Sequence, residues 1–155
     1  MPHPAREAEE IVIGVVADTH VPDKTRGLHP NLLPALERAG VTGILHAGDI
    51  SVPRVLRDLE QVAPVTAVRG NRDWAFAGRL PWERRLEFAG VSLVLVHGHG
   101  TLRQYLWDKW QFWMRGYDLR RYQKTWSHIT GATVIVFGHT HRAENHWQDG
   151  RLWFN

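Results

Sequence analysis

The sequence contains no cysteine. This absence excludes disulfides, a thiol nucleophile and metal sites built on thiolates, so any metal ion would have to be held by nitrogen and oxygen ligands. Histidine, in contrast, occurs ten times. Imidazole is therefore the side chain to follow when candidate sites are sought in this chain.

Long apolar stretches are also missing. The sequence has no run of about 18 apolar residues and no charged-then-apolar leader with a small-residue cleavage site, so we expect no membrane span and a cytoplasmic location. The net charge of +3 suits anionic partners in general without indicating nucleic acid. A length of 155 residues fits one domain, residues 1–155, which can bury roughly two thirds of the surface of its unfolded chain.

Five β-branched, apolar runs share one plan, because each is followed at once by a polar cluster of Asp, Asn or His. They cover residues 11–18, 41–49, 63–71, 91–99 and 132–141. Such runs are typical of strands covered on both faces, in sheets with helices packed outside. Helices are predicted over 29–40, ending at Gly40, and over 51–62, with Ser51 as the N-cap. The pattern indicates one α/β domain.

Two β-hairpins are predicted in the second half of the chain. The first would turn at Ala89 and Gly90, and the second at Asp149 and Gly150. An Asp-Gly pair between two strands has a clear preference for hairpin turns.

The polar clusters that follow the strands should meet in space, because ligands in open α/β sheets collect at the carboxyl ends of strands. The clusters offer carboxylates, an amide and imidazoles: Asp18, His20, Asp49, Asn71, Asp73, His97, His99, His139 and His141. This mixed oxygen and nitrogen set suits Mn, Fe, Zn or Ni, and it is large enough for two ions.

The order of these motifs, D-x-H, G-D, G-N-x-D, H-G-H and G-H-x-H, resembles that of the calcineurin-like metallophosphoesterases. The short chain is similar to their small bacterial and archaeal phosphodiesterase branch, to which the retromer subunit Vps29 is related. The resemblance spans residues 11–155. It implies an α/β/β/α fold, in which a sandwich of two β-sheets is flanked by helices on its outer faces.

The resemblance also implies that seven of these residues are ligands of two divalent metal ions. The first ion would be held by Asp18, His20 and His141, the second by Asn71, His97 and His139, and Asp49 would bridge the two. We expect Mn²⁺, although Fe, Zn and Ni accept the same ligands. Two such cations lower the pKa of a bridging water and clamp the phosphate oxygens, so a hydroxide can attack phosphorus in line with the departing alcohol.

Asp49, Arg72 and His99 are the candidate catalytic residues. The phosphatase branches of the family usually have histidine after G-N, where this chain has Arg72. Arginine cannot act as a general acid near neutral pH, but its planar guanidinium can bind a phosphate oxygen and stabilise developing negative charge. We expect catalysis that depends more on the leaving group. The alternative is that Arg72 only pairs with Asp73.

Other polar residues have open assignments. His99 would contact the phosphate or brace the metal ligands, or else be a hydrogen-bonding loop residue. His46, inside the second predicted strand, is expected to be a buried, hydrogen-bonded imidazole, with support of the metal site as the alternative. In the first loop, Asp23, Lys24 and Arg26 are either substrate contacts or solvated charges.

An aromatic and basic segment, residues 102–126, is predicted to be a helical insert between His97 and His139. Apolar residues at helical spacing are expected to be core: Leu102, Leu106, Trp110, Trp113 and Tyr117. Aromatic residues off this stripe leave open a cap over the site, a dimer contact or a landing surface. Nucleic-acid binding is less favoured, because one helix is not a groove, and membrane-surface contact is the least favoured.

Two functions follow. The first is a dinuclear metal hydrolase of phosphodiesters or small phosphomonoesters, and the second is a Vps29-like protein-binding scaffold without catalysis. Every expected ligand is present, so we favour the enzyme and a small phosphate-ester substrate. A homo-oligomer is a further expectation, formed through the aromatic segment or through an unpaired sheet edge beyond the C-terminal strand.

Overall fold

The first three predicted strands form one parallel sheet in the computed structural model, which describes residues 10–76 and 79–155. These strands are β1 (Ile13–Val16), β2 (Gly43–His46) and β3 (Val65–Ala67), in the order β1-β2-β3. Helices α1 (Leu32–Arg38) and α2 (Pro53–Glu60) connect them. The strand, helix, strand pattern predicted for this half of the chain is confirmed.

One helix start differs from the prediction. Ser51 is not the N-cap of α2, because the cap position belongs to Val52 and Pro53 follows in the first turn. Ser51 instead has a φ of 71°, and its backbone N–H donates to Asp73 Oδ1 at 2.7 Å. A proline with its fixed φ suits the first turn of a helix, so the helix begins there without a side-chain cap.

The second sheet has five strands in the order β4-β5-β6-β8-β7. They are β4 (Glu83–Phe88), β5 (Val91–Val96), β6 (Val134–Val136), β7 (Asn145–Gln148) and β8 (Arg151–Phe154). Both hairpins form at the predicted turns. Ala89 and Gly90 have φ values of 48° and 79°, and Asp149 and Gly150 have 51° and 73°, as a turn with two left-handed residues requires.

The two sheets pack face to face, with helices on their outer sides. In β2, Ile44 belongs to the core under α1 and α2, whereas its neighbour Leu45 belongs to the core between the sheets. In β5, Leu95 faces the first sheet and Val94 faces the opposite side. This alternation is what a strand covered on both faces requires, and the α/β/β/α fold class is confirmed.

The aromatic segment consists of two helices, α3 (Leu102–Arg115) and α4 (Leu119–Thr125), separated at Gly116, whose φ is 74°. In α4 and just after it, Tyr122 and Trp126 are buried in the core on the outer side of the second sheet. Tyr117 packs against the same core, as expected.

The prediction is wrong for three other residues of the core stripe. Leu106, Trp110 and Trp113 of α3 are 57%, 48% and 80% exposed. The side chain of Leu102 lies outside the described part of the structure. Helical periodicity indicates which residues share a side of a helix, but it does not determine whether that side faces the protein or the solvent.

The C-terminal strand is not an edge. β8 pairs in parallel with β6 and antiparallel with β7, so the open edges of the five-stranded sheet are β4 and β7. The expectation of an unpaired edge beyond the C-terminal strand is therefore wrong, because β7 covers that side of β8. Among the described residues, none of the helices has the length and apolar character needed to cross a bilayer.

Candidate metal centre

The loops that follow the strands hold strained backbone at the predicted ligand positions. Five of these residues have left-handed φ angles: Asp18 (53°), His20 (48°), Asp49 (54°), His139 (69°) and His141 (53°). Left-handed conformations are uncommon outside glycine and cost about 1–3 kcal/mol each, and they concentrate at functional sites. The fold therefore holds these five residues in conformations that cost free energy, and these conformations set the directions of their side chains.

Hydrogen bonds between loops fix these conformations. The backbone N–H of Asp18 donates to Gly48 O at 3.0 Å, and that of His139 donates to Asp18 Oδ2 at 2.8 Å. The backbone N–H of Arg72 donates to Asp49 Oδ1 at 2.9 Å. The carboxyl ends of four strands, far apart in sequence, are thus tied into one cluster.

The first group of ligand atoms comes from Asp18, His20 and His141. The Nε2 atoms of the two histidines lie 3.4 Å apart, and they lie 3.7 Å and 3.5 Å from Asp18 Oδ1. Asp18 Oδ1 is buried and has no hydrogen-bond partner among the described residues. Burial raises the pKa of Asp18 to about 7, because an isolated buried carboxylate is poorly solvated.

Asp49 lies between two histidines. Its Oδ2 is 3.7 Å from His20 Nε2 and its Oδ1 is 3.5 Å from His97 Nε2. All three side chains are buried. Ligand atoms of Asp18, Asp49 and His97 form a second group within 4.8 Å of one another. Asp18 thus belongs to both groups, whereas the family resemblance implied a bridging position for Asp49 alone.

The ring of His97 has a defined orientation. Its Nδ1 donates to Ala47 O at 2.7 Å, and burial lowers the pKa of the ring to about 3, so the ring is neutral. The lone pair on Nε2 then faces Asn71 Oδ1 at 3.1 Å. The unprotonated Nε2 and the Asn71 side-chain amide thus lie next to each other, and both are groups that can ligate a metal ion.

His139 lies beside His97. Among the described residues it belongs to neither of the two groups of ligand atoms given above. Its ring centroid is 5.0 Å from that of His97, and burial lowers its pKa to about 3. His99 lies next to both rings, at 5.4 Å from His97 and 6.2 Å from His139. Six of the seven predicted metal ligands therefore converge in the two groups and at Asn71, and the seventh adjoins them.

His46 is a buried, hydrogen-bonded imidazole, as expected, and its two bonds lie in loops of the site. It is fully buried, its Nδ1 accepts from Gly48 N at 3.2 Å, and its Nε2 lies 3.2 Å from Thr19 Oγ1. Burial lowers its pKa to about 3. Because Thr19 stands between Asp18 and His20, this neutral imidazole joins the loop after β1 to the loop after β2.

Asp73 also joins loops of the site, although the sequence analysis placed it in the cluster without assigning it this role. Its carboxylate is fully buried and accepts from the backbone N–H groups of Ser51 and Gly70, both at 2.7 Å. Arg72 does not pair with Asp73, so that alternative is wrong. Its guanidinium lies 3.6 Å from Asp23 Oδ2 instead. The G-N-x-D spacing was a signal for Asp73, but its partners come from distant loops.

A cavity of about 1050 Å³ adjoins the cluster. Its lining includes Arg72, His99, Trp82, Arg69 and Tyr105. The Arg69 guanidinium lies 4.5 Å from the centre of the Trp82 ring, and His99 packs against the same ring at 4.9 Å. The sequence motifs did not identify Arg69 or Trp82 as cavity residues, because their position depends on packing between β3 and the start of β4. Tyr105 shows that α3 begins at the rim of the cavity.

The donor set as a whole fits divalent cations. It combines carboxylate oxygens, an amide oxygen and neutral imidazoles, and it has no thiolate. Such ligands suit transition metals of intermediate softness. Buried acceptors without donors, of which Asp18 Oδ1 is the clearest, are what a cation would satisfy.

Comparison with known proteins agrees with this chemistry. A protein of Methanothermobacter thermautotrophicus named probable metallophosphoesterase is 34% identical over 132 residues, which are 85% of this chain and 67% of that protein. A probable metallophosphoesterase of Methanocaldococcus jannaschii is 28% identical over 131 residues, which are 84% of this chain and 59% of that protein. The chain thus spans about three fifths to two thirds of the length of these relatives.

Solved structures share the fold. Vps29 of Chaetomium thermophilum superposes with a TM-score of 0.73 at 16% identity, covering 94% of this chain and 70% of that one. Vps29 of Entamoeba histolytica complexed with Zn²⁺ gives 0.62 at 19% identity, covering 92% and 72%. The calcineurin-like phosphoesterase superfamily domain matches residues 11–155. With this match over nearly its whole length, the chain belongs to the calcineurin-like phosphoesterase superfamily.

Proposed function

We propose that the protein is a metal-dependent phosphoesterase that hydrolyses phosphodiesters or small phosphomonoesters. The observation that carries the proposal is the position of Asp49, whose two carboxylate oxygens face His20 and His97 from between them. A carboxylate with a neutral imidazole on each side is suited to hold two cations at once. The adjoining cavity offers room for the organic part of an ester.

The proposed ligands are the seven residues predicted from the motifs: Asp18, His20, Asp49, Asn71, His97, His139 and His141. We propose two divalent ions, with Mn²⁺ as the first candidate. When bound, such ions supply Lewis-acid activation of water and of the phosphate oxygens.

The chain's own residues would position the substrate. The Arg72 side chain is about half exposed at the cavity, where its guanidinium can bind a phosphate oxygen through two parallel N–H groups. His99 lines the same cavity, and its buried Nδ1 has no hydrogen-bond partner among the described residues. Trp82, which is 52% exposed, offers an apolar ring to the leaving group.

The test is hydrolysis of bis(p-nitrophenyl) phosphate by chelator-stripped protein, before and after addition of Mn²⁺. We expect turnover only with metal, and we expect Asp49→Asn to abolish it together with Mn²⁺ binding measured by calorimetry. Asp149→Asn is the matched control, because an Asn-Gly pair preserves the β7–β8 turn. Folded wild-type protein that turns over no phosphoester with any divalent ion would exclude the proposal.

A protein-binding scaffold is the second candidate. Its support is the fold shared with Vps29 and the exposed aromatic side of α3. The metal-loaded wild type separates the two candidates, since an enzyme would hydrolyse the ester, whereas a scaffold would bind metal at Asp49 and show no turnover.

A further inference from the structure

Helix α3 presents its apolar side to the solvent. We call this side the outer face of α3, and it consists of Leu106, Trp107, Trp110, Trp113 and Met114. The exposed fractions of these residues run from 48% for Trp110 to 80% for Trp113. Their spacings of three and four residues place them on one side of the helix. The rings of Trp107 and Trp110 stack at 5.0 Å, which makes the surface continuous.

The side of α3 that packs against the protein is largely polar, and Phe112, which lies opposite Trp110, is 49% exposed. Tyr105 and Asp108 are half-buried and Gln111 is buried, at 7% exposure. The usual arrangement of an amphipathic surface helix, with apolar residues inward, is thus reversed. A contiguous apolar surface of this kind marks an interaction site, because leaving it in water is unfavourable.

Exposed basic side chains occur on both helices. Arg103 lies on the same side of α3 as Trp110, two turns away, and Lys109 and Arg115 on α3 are also exposed, as are Arg120 and Lys124 on α4. The acidic residues of the two helices are directed elsewhere, since Asp108 is turned toward the protein and the Asp118 carboxylate accepts from Arg120 N at 3.0 Å. The surroundings of the outer face are therefore positively charged.

This charge decides among the possible occupants. In a second copy of the chain, a two-fold contact along α3 would bring like charges together, and like charges side by side oppose association. A single-stranded nucleic acid needs a groove lined by aromatic rings, whereas an exposed helix is convex. A surface of anionic lipid satisfies both features, because it attracts the basic residues and accepts tryptophan rings at its interface.

We propose that the outer face of α3 binds anionic membrane surfaces, with the helix lying in the plane of the lipid interface. The remainder of the molecule supports this mode of binding. Tyr122 and Trp126 anchor the helix pair in the core, and Thr101 and Gln104 form a capping box that fixes the start of α3. Membrane contact would then require no unfolding of the domain. The proposal is independent of catalysis.

The experiment is co-sedimentation of the protein with vesicles of phosphatidylglycerol and phosphatidylcholine in equal parts, compared with vesicles of phosphatidylcholine alone. We expect association with the anionic vesicles, weakened at high salt because ions screen the basic residues. Tryptophan emission should shift to shorter wavelength on association. The double substitution Trp110→Gln and Trp113→Gln should reduce partitioning at least about tenfold.

Trp147→Gln is the matched control, because Trp147 is 64% exposed but lies on β7, outside the two helices. It should bind like the wild type. Circular dichroism establishes that the variants fold, which is expected since the substituted rings are exposed. Absence of binding by folded wild-type protein, or equal binding by the double variant, would overturn the proposal. The proposal would also be overturned if the wild type dimerised with increasing concentration, or bound an oligonucleotide, and the double variant lost that property but still bound vesicles.

Discussion

The guanidinium of Arg72 lies 3.6 Å from the carboxylate of Asp23 at the edge of the cavity, and both side chains are nearly half exposed. Exposed ion pairs contribute only about 0–1 kcal/mol. Arg72 can therefore leave Asp23 for a phosphate oxygen at small cost. The contact leaves Asp73 free for its two backbone donors, which makes Arg72 and Asp73 separate targets for mutation.

Replacing Arg72 by histidine should change the dependence of turnover on the leaving group. Histidine can donate a proton near neutral pH and arginine cannot, so Arg72→His should raise the rate on phenyl esters relative to p-nitrophenyl esters. General acid catalysis contributes roughly 10²–10⁴-fold where it operates. Arg54→His, on an exposed arginine of α2, is the control. An unchanged ratio of the two rates would contradict a leaving-group role at position 72.

Asp73→Asn should weaken both folding and metal binding. The amide has one acceptor oxygen where the carboxylate has two, so one of the N–H groups of Ser51 and Gly70 loses its partner at a cost of about 1–3 kcal/mol. The displaced loops carry Asp49 and Asn71, so metal affinity should fall about 10–100-fold. Urea unfolding and calorimetric metal titration measure the two effects. If both equal the wild-type values, Asp73 does not position the site.

Gly70→Ala should be severely destabilising. A Cβ at this position would overlap both the backbone N and the Oδ1 of Asp49. Overpacking against backbone that cannot move typically costs about 1–3 kcal/mol or more. Gly27→Ala is the control, because a Cβ there meets nothing within 4 Å. Equal free energies of unfolding for the two variants would show that the distance between residues 49 and 70 leaves room for a methyl group, contrary to this structure.

His46 should make folding stability depend on pH. Its pKa is about 3 in the folded protein and near 6.5 when unfolded, so below pH 6.5 the unfolded chain binds a proton that the folded chain excludes. The stabilisation by neutral His46 is therefore present above pH 6.5 and is lost as pH falls toward 3. The loss is at most about 1.4 kcal/mol per pH unit.

The measurement compares urea unfolding of the wild type and His46→Gln between pH 7 and pH 5 in the presence of chelator. Glutamine does not titrate, so the advantage of the wild type over the variant should shrink as the pH falls. Chelator removes the contribution of metal binding by the other histidines. A difference that stays constant over this range would show that His46 titrates normally in the folded state.

Much of the fold could be predicted, because its signals are local. The apolar runs, the turn pairs at residues 89–90 and 149–150 and the break at Gly40 act within a few residues of themselves. The start of α2 could not be predicted correctly, since Ser51 is held by Asp73, a residue 22 positions away. A long-range hydrogen bond there prevails over a local capping preference.

The sequence by itself determined which chemical groups gather at the strand ends, because five motifs in order predict both the candidate ligand types and the family. Only the tertiary structure decided their partners: Asp18 in both ligand groups, Arg72 beside Asp23, and Asp73 beneath the loops. It also decided that α3 turns its tryptophans outward. The reason is the same in each case, since helical and strand periodicities define faces, while the contacts that select among those faces come from residues distant in the chain.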